Sequence, residues 1–145
     1  MTAKRRAVAV WEHDLAKGSG RFKVDSGAFP ESPITWAART EASGGKTSPE
    51  ELLAAAHASC FAMAFSAGLG RMGKPPERLE VSATCTFDKV GDAWKVTTME
   101  LDVTGRVPGI EGAAFQEAAH QAEAGCPISN ALRRNVDIIV RAKLE

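Results

Sequence analysis

The longest run of apolar and small residues in the chain predicts a helix that has no solvent-facing side. Between Leu52 and Leu69, His57 is the only strongly polar side chain. Ser48 precedes the run as an N-cap, with Glu51 three residues later at the spacing of a capping box. Glycines within residues 68–73 predict the end of the helix. A helix this apolar must be covered nearly all round, so we expect a long buried central helix.

Alternating apolar and polar residues predict a β-hairpin after this helix. The alternation over residues 79–87 is that of a half-buried strand. The dipeptide at residues 91–92 predicts a turn, and residues 94–104 predict the partner strand. Trp94 and Val96 are out of phase with the rest of this strand, which predicts a β-bulge.

Shorter runs of the same kind predict four more strands, at residues 4–12, 21–24, 34–40 and 136–140. Two further helices are predicted over residues 111–124 and 127–134. Six strands in two groups of three, with helices between and after them, indicate an α+β fold with antiparallel sheets. No linker or internal repeat interrupts the chain, so we expect a single domain over residues 1–145.

The charge balance excludes several classes of partner. The chain carries 18 Lys and Arg against 18 Asp and Glu, so its net charge is zero. Nucleic acids and anionic membranes require a basic surface, and we expect neither as a partner. The apolar run that follows the basic N-terminus is too short for a signal peptide, and we expect no apolar run to reach the length of a membrane span. Three widely spaced cysteines indicate a reducing compartment, the cytoplasm.

The three cysteines occupy different kinds of position. Cys85 lies on the apolar face of a predicted strand and is expected to be a small core residue. Cys126 precedes Pro127 at the N-cap of a short helix, where unpaired backbone N–H groups stabilise a thiolate. Cys60 is in the middle of the long helix, so it needs a nearby cation to ionise. The pattern alone leaves open that Cys60 is a packed core thiol.

His57 lies one turn before Cys60 and has several possible roles. The commonest is a hydrogen-bonded histidine in a core or an interface, and the alternatives are a base or a metal ligand. A zinc site would use residues of the types that bind zinc, here His57, Cys60, His120 and Cys126. Their spacing in the sequence fits no familiar zinc pattern. We expect neither a metal nor an organic cofactor.

Two segments are similar to the paired cysteine motifs of the OsmC/Ohr family, the osmotically induced protein C and organic hydroperoxide resistance proteins. They are TSPEELLAAAHASCFAMAFS, which contains Cys60, and CPISNAL, which begins at Cys126. AAHASCF and CPISNAL resemble the OsmC branch, and the predicted order of elements matches over essentially the whole chain. The resemblance implies an intertwined homodimer with the central helices buried between sheets. It also implies a thiol peroxidase acting on organic hydroperoxides.

The resemblance assigns a role to four residues. Cys60 matches the peroxidatic cysteine, and Cys126 the resolving cysteine. Arg39 matches the active-site arginine, with Arg21 as the alternative, and Glu50 matches the glutamate that holds the arginine. Arg39 would lower the pKa of Cys60 and stabilise the departing alkoxide. Peroxide would convert Cys60 to a sulfenic acid, Cys126 would form a disulfide with it, and an external dithiol would reduce that disulfide.

Helix geometry separates Glu50 from Cys60. They are ten residues apart in one predicted helix, which corresponds to about 15 Å along its axis. Either the Arg39 side chain bridges much of this gap, or Arg39 and Glu50 come from the other subunit. We favour the second arrangement, because an antiparallel pair of helices would bring Glu50 of one chain towards Cys60 of the other.

Two other functions fit the same residues. The first is a thiol redox sensor, in which oxidation of the cysteine pair changes the binding of a partner and turnover is negligible. The second is a non-catalytic dimeric small-molecule-binding protein, in which Cys60 and Cys126 only pack. For the peroxidase, alkyl hydroperoxides, fatty-acid hydroperoxides and hydrogen peroxide are all chemically suitable substrates.

Overall fold

Six strands and four helices form from residues 1–145, all of which are described by the computed structural model. The chain divides into two units, Met1–Leu52 and Leu53–Glu145. The α+β class with two three-stranded sheets is confirmed. The single domain over the whole chain stays a prediction.

The first unit contains an antiparallel sheet in the order β1-β2-β3. Its strands are β1 (Ala7–Glu12), β2 (Ser19–Val24) and β3 (Ser32–Ile34). The turn between β1 and β2 is closed by Asp14, whose carboxylate accepts a hydrogen bond from the Lys17 N–H at 2.7 Å.

The prediction of a third strand over residues 34–40 is wrong beyond Ile34, which is the last residue of β3. Trp36–Thr40 form a short helix, α1, instead. Thr35 is its N-cap, and the Thr35 hydroxyl accepts a hydrogen bond from the Ala38 N–H at 3.1 Å. This cap outweighs the β-propensity of the segment. Arg39 therefore lies in the last turn of a helix and not at the end of a strand.

The long predicted helix is α2 (Pro49–Arg71), and its predicted bounds are confirmed. The Glu51 N–H donates to the Ser48 hydroxyl at 3.1 Å, as the cap predicts. Glu51 makes a second hydrogen bond with its side chain: its carboxylate accepts from the Thr47 hydroxyl at 2.8 Å. After the helix ends, Gly73 adopts φ +70°, a left-handed conformation that favours glycine.

The second unit contains a mixed sheet in the order β4-β5-β6. Its strands are β4 (Arg78–Val90), β5 (Ala93–Arg106) and β6 (Asp137–Leu144). The predicted antiparallel pairing is confirmed for β4 and β5 but wrong for β6, which runs parallel to β5. The two helices between β5 and β6 form a crossover that returns the chain in the same direction.

The predicted bulge is confirmed in β5. Thr86 pairs with Thr98 and Phe87 with Val96, so Thr97 is the extra residue. The slip explains why the apolar alternation of this strand changes phase.

Two helices follow the hairpin, α3 (Gly112–Gly125) and α4 (Pro127–Leu132). The hydrophobic core of the second unit combines residues of α2, β5 and α3 with Cys126. Its larger members include Phe61, Phe65, Leu69, Leu101, Val103 and Phe115. Gly105 lies in this core, and a Cβ atom there would come within 2.5 Å of the Phe115 ring.

The buried residues of α2 are Glu50 in its first turn and a stripe of His57, Phe61, Phe65 and Leu69, whereas Met63 is 68 % exposed. By length and composition α2 could cross a membrane, so the expectation that no run is long enough was wrong. Those two criteria are weak, because the core helix of a soluble protein satisfies them as well.

Candidate active site

The fold brings Cys60 and Cys126 together. The Cys126 Sγ–H points at Cys60 Sγ, 3.3 Å away. A disulfide requires about 2.05 Å, so the sulfurs need approach by only about 1 Å to bond. Cys126 is fully buried, whereas Cys60 is half-buried. The two thiols are thus paired in space but unequal in exposure.

The backbone of Cys126 is held by the helices on both sides. Its N–H donates to the Glu123 carbonyl at 3.2 Å, which closes α3. Its carbonyl accepts from the Asn130 N–H at 2.9 Å, and Pro127 is the first residue of α4. The predicted N-cap position is confirmed, but the Cys126 side chain does not bond to the helix it caps. The thiol faces Cys60 instead.

The surroundings of Cys60 raise the pKa of its thiol. The largest cause is burial, and the neighbouring Cys126 thiol acts in the same direction. The backbone N–H of Ile128 bonds to the Cys60 sulfur and opposes both effects by lowering the pKa. From the sequence, the N–H groups of α4 were expected to act on Cys126. This N–H instead acts on Cys60, because Ile128 lies in the first turn of α4, where amides have no helical acceptor.

Cys60 lines an open groove of about 560 Å³. Most of the residues that line it are small and apolar; on α2 and α3 these include Ala64, Ala67, Gly68, Ala118 and Ala122. Cys126 is not part of the groove wall. Of the two thiols, Cys60 is therefore the one that a molecule in the groove can reach.

Arg39 and Glu50 form an ion pair within the first unit. Arg39 Nη2 lies 2.7 Å from Glu50 Oε1, and Arg39 Nε lies 2.9 Å and 3.1 Å from the two carboxylate oxygens. The Glu50 side chain is 8 % exposed and that of Arg39 32 % exposed. The guanidinium carbon also lies 5.8 Å from the centre of the Trp36 ring. A carboxylate this buried needs a charged partner, and this geometry supplies one.

Arg21, the alternative arginine, has a different environment. Its guanidinium lies 3.7 Å from Glu12 and 3.4 Å from Glu31, and all three side chains are about half exposed or more. Such surface pairs contribute little to stability or orientation. The geometry therefore favours Arg39 as the arginine that Glu50 holds.

His57 and Ser129 form a fully buried hydrogen bond. His57 Nε2 lies 2.7 Å from Ser129 Oγ, and neither residue is exposed. Burial lowers the pKa of His57, and the negative charge of Glu123 raises it in part. The prediction of a hydrogen-bonded core histidine is confirmed. Ser129 was missed by the sequence analysis, although it lies inside the CPISNAL segment.

The third cysteine is half-buried on β4, where it pairs in register with Met99 of β5. The expectation that Cys85 is a small core residue is wrong, because Cys85 is only half-buried and lies outside the hydrophobic core of the second unit.

A family model described as OsmC-like protein matches residues 42–141. The chain belongs to the OsmC-like family. Glu50, Cys60 and Cys126 lie inside the matched range, and Arg39 lies just before it. The resemblance noted from the two cysteine motifs is thereby confirmed.

Two named relatives of this OsmC-like protein differ in how much of it they cover. Peroxiredoxin OsmC of Escherichia coli (strain K12) is 36 % identical over 143 residues, which is 99 % of both chains. An organic hydroperoxide resistance protein of Xanthomonas axonopodis pv. citri is 32 % identical over 99 residues, 67 % of both. The relative that covers nearly all of this chain is the one named OsmC. This agrees with the resemblance of both cysteine motifs to the OsmC branch.

Solved structures share the fold of this OsmC-like protein. The organic hydroperoxide resistance protein OhrB of Bacillus subtilis superimposes with a TM-score of 0.74 at 24 % identity, covering 95 % of this chain and 98 % of that one. An organic hydroperoxide resistance protein from Elizabethkingia anophelis gives a TM-score of 0.76 at 21 % identity, with all of both chains covered. The long central helix with two small sheets is thus a shared architecture.

Proposed function

We propose that this protein is a thiol-dependent peroxidase that reduces organic hydroperoxides, and hydrogen peroxide as a smaller substrate, through a Cys60/Cys126 cycle. One observation carries the proposal: Cys60 lines an open groove, and its sulfur lies 3.3 Å from that of the buried Cys126. The names of the relatives, peroxiredoxin and organic hydroperoxide resistance protein, support a peroxide-related redox role.

The first step is oxidation of Cys60. Its thiolate attacks the terminal oxygen of the hydroperoxide, so that an S–O bond forms while the O–O bond breaks. The sulfur loses two electrons, and the departing alkoxide takes up a proton to leave as an alcohol. The product on the protein is the sulfenic acid of Cys60.

The second step closes the disulfide. The Cys126 sulfur attacks the Cys60 sulfur, the S–O bond breaks, and the oxygen leaves as water with the proton of Cys126. An external dithiol then reduces the disulfide and is itself oxidised to a disulfide. Such reductants are maintained in the cytoplasm, where we place the reaction. The cycle uses no metal or organic cofactor.

In this proposal Arg39 is the cation that Cys60 needs, and Glu50 orients it. Glu50 and Cys60 are ten residues apart on α2, about 15 Å along the helix axis. We therefore assign the Arg39–Glu50 pair to the Cys60 of a second copy, within a homodimer. The exposed Ala55 and Ala56 of α2, which do not line the groove, support an interface along this helix.

The test is mass spectrometry of the reduced protein within seconds of adding a slight excess of cumene hydroperoxide. We expect a Cys60–Cys126 disulfide while Cys85 stays reduced, and the variant Cys85→Ser serves as the matched control. A protein that stays reduced, or that oxidises slowly at all three cysteines, would contradict the proposal. Sustained consumption of a dithiol under continued peroxide supply then separates a peroxidase from a redox sensor.

A further inference from the structure

A fully buried imidazole lies one turn below the reactive cysteine. His57 precedes Cys60 by three residues on α2, and its only hydrogen-bond partner is the Ser129 hydroxyl, 2.7 Å from Nε2. The other ring nitrogen, Nδ1, is buried and has no hydrogen-bond partner. The His57 side chain therefore makes its one hydrogen bond to a single residue of α4, Ser129.

Stability alone does not explain a histidine at this position. A buried polar atom without a partner costs free energy, and an apolar ring of similar size would avoid that cost. Phe61 and Phe65 occupy the next positions of the same buried stripe. The imidazole of His57 is thus the less stabilising choice for packing, and what it adds is the bond to Ser129.

This bond joins α2, which contains Cys60, to α4, whose N-cap is Cys126. Ser129 follows Cys126 by three residues, in the first turn of α4. The same turn contains Ile128, whose N–H bonds to the Cys60 sulfur. Besides the contact between the cysteines and the Ile128 N–H on the Cys60 sulfur, the His57–Ser129 bond links α2 to α4, and it is the one that joins two side chains away from the cysteine pair.

The remaining polar contacts of this region hold α4 to α3. Arg133, which follows α4, lies 3.1 Å from Glu123 Oε1 as an ion pair and donates to Glu123 Oε2 at 3.3 Å. Arg133 also donates to the Glu123 carbonyl and to the Asn130 side chain. None of these contacts reaches α2, so the spacing between α4 and α2 depends on the His57–Ser129 bond, the Ile128 N–H on the Cys60 sulfur and apolar packing.

We propose that the His57–Ser129 hydrogen bond is a positioning contact that holds the first turn of α4, with Cys126, against Cys60. Its role is to ensure that the Cys60 sulfenic acid is captured as a disulfide before a second peroxide reaches it. This inference rests on the proposed peroxidase function.

Two reactions compete for the sulfenic acid. In the first, the Cys126 thiol displaces the oxygen as water and forms the disulfide. In the second, another hydroperoxide molecule transfers an oxygen to Cys60, leaving an alcohol and a sulfinic acid. The first reaction depends on the position of α4, whereas the second depends on peroxide concentration. Loosening α4 therefore shifts the product from disulfide to sulfinic acid.

The test compares Ser129→Ala, His57→Phe and the double variant with the wild-type protein. Each reduced protein is treated with a series of cumene hydroperoxide concentrations, and disulfide and Cys60 sulfinic acid are quantified by mass spectrometry. We expect the ratio of sulfinic acid to disulfide to rise about tenfold in either single variant, as for loss of one hydrogen bond. The double variant should be no worse than the single ones, because both remove the same bond.

Ser59→Ala is the matched control. Ser59 neighbours Cys60 and donates to the Ala55 carbonyl of its own helix at 2.7 Å, and no hydrogen bond joins it to α4. The Ser59→Ala variant should give the same ratio of sulfinic acid to disulfide as the wild type. Thermal unfolding of all variants is measured in parallel, since a merely structural bond would lower stability without changing the ratio.

The possible results separate the two proposals. If the wild type forms no disulfide, the proposed function fails. If the wild type forms the disulfide and both single variants give the same ratio of sulfinic acid to disulfide as the wild type, only the positioning role fails. If Ser129→Ala does not fold, His57→Phe, which preserves a ring at this site, decides the question by the same ratio.

Discussion

Arg39 and Glu50 are joined by three contacts of 2.7–3.1 Å, although Glu50 is buried and Arg39 remains one-third exposed. The Arg39 guanidinium is therefore held by a carboxylate that is largely shielded from water. Such a guanidinium keeps its orientation at little further entropic cost when an anion approaches it. This suits the role that we propose for Arg39, which is to stabilise charge developing on sulfur and oxygen.

The pKa of Cys60 provides a test of whether Arg39 acts on it. Burial favours the neutral thiol and raises the pKa of Cys60, whereas a nearby guanidinium favours the thiolate and lowers it. Removing the charge with Arg39→Met should therefore move the titration upward, by about 1 pH unit. The measurement is the rate of alkylation of Cys60 against pH, read by mass spectrometry.

Arg21→Met is the control for this titration, because Arg21 pairs with exposed carboxylates. Its Cys60 midpoint should match that of the wild type. Identical midpoints in Arg39→Met and the wild type would show that Arg39 does not act on Cys60.

Mixed dimers test whether the pair acts across subunits. Neither Cys60→Ser nor Glu50→Ala should be active alone. In an equal mixture half of the dimers are mixed and one of their two sites is complete, so about one quarter of wild-type activity should return. The control is Glu50→Ala mixed with Cys60→Ser/Glu50→Ala, which contains no Glu50 and should stay inactive. Mixed dimers that form without recovered activity would place the pair and its Cys60 in the same chain.

His57 should make stability depend on pH. Because burial lowers the pKa of His57 in the folded protein, the unfolded chain binds a proton more readily. The free energy of unfolding contributed by this group should therefore fall as pH decreases below about 6.5, the ordinary pKa of histidine. Urea unfolding at about pH 7.5 and about pH 5.5 measures the difference.

The variant His57→Phe should lose this part of the pH dependence. His120→Gln serves as the control, since His120 is exposed on α3, and it should retain the dependence. An unchanged slope in His57→Phe would mean that other groups produce it.

Gly105 should tolerate no side chain. An added Cβ would lie 2.5 Å from the Phe115 ring inside the core, so Gly105→Ala should lower the free energy of unfolding by about 1–3 kcal/mol. Gly112→Ala is the matched control, because nothing lies within 4 Å of its added Cβ. Urea unfolding of the two variants gives the comparison, and equal stabilities would contradict the expectation.

Local patterns predicted the elements whose residues carry their own signals. Ser48 and Glu51 mark the start of α2, and the slip at Val96 marks the bulge in β5. The helical conformation of Trp36–Thr40 was missed because one hydroxyl, that of Thr35, overrides a segment with strand propensity.

Long-range relationships were less accessible. The parallel direction of β6 depends on the path of α3 and α4, which no alternation pattern encodes. The closeness of Cys60 to Cys126 was anticipated only through the family resemblance, since 66 residues separate them. Ser129 was missed because a serine near a helix start normally has a local role, whereas its partner lies 72 residues away.

The burial of Cys126 has a consequence for the order of events in the proposed cycle. A reductant must attack the disulfide at the sulfur it can reach, and only Cys60 lines the groove. Oxidant and reductant then share one entrance and exclude each other from it. Turnover would take the form of ping-pong kinetics, with each class of substrate inhibiting the half-reaction of the other when in excess.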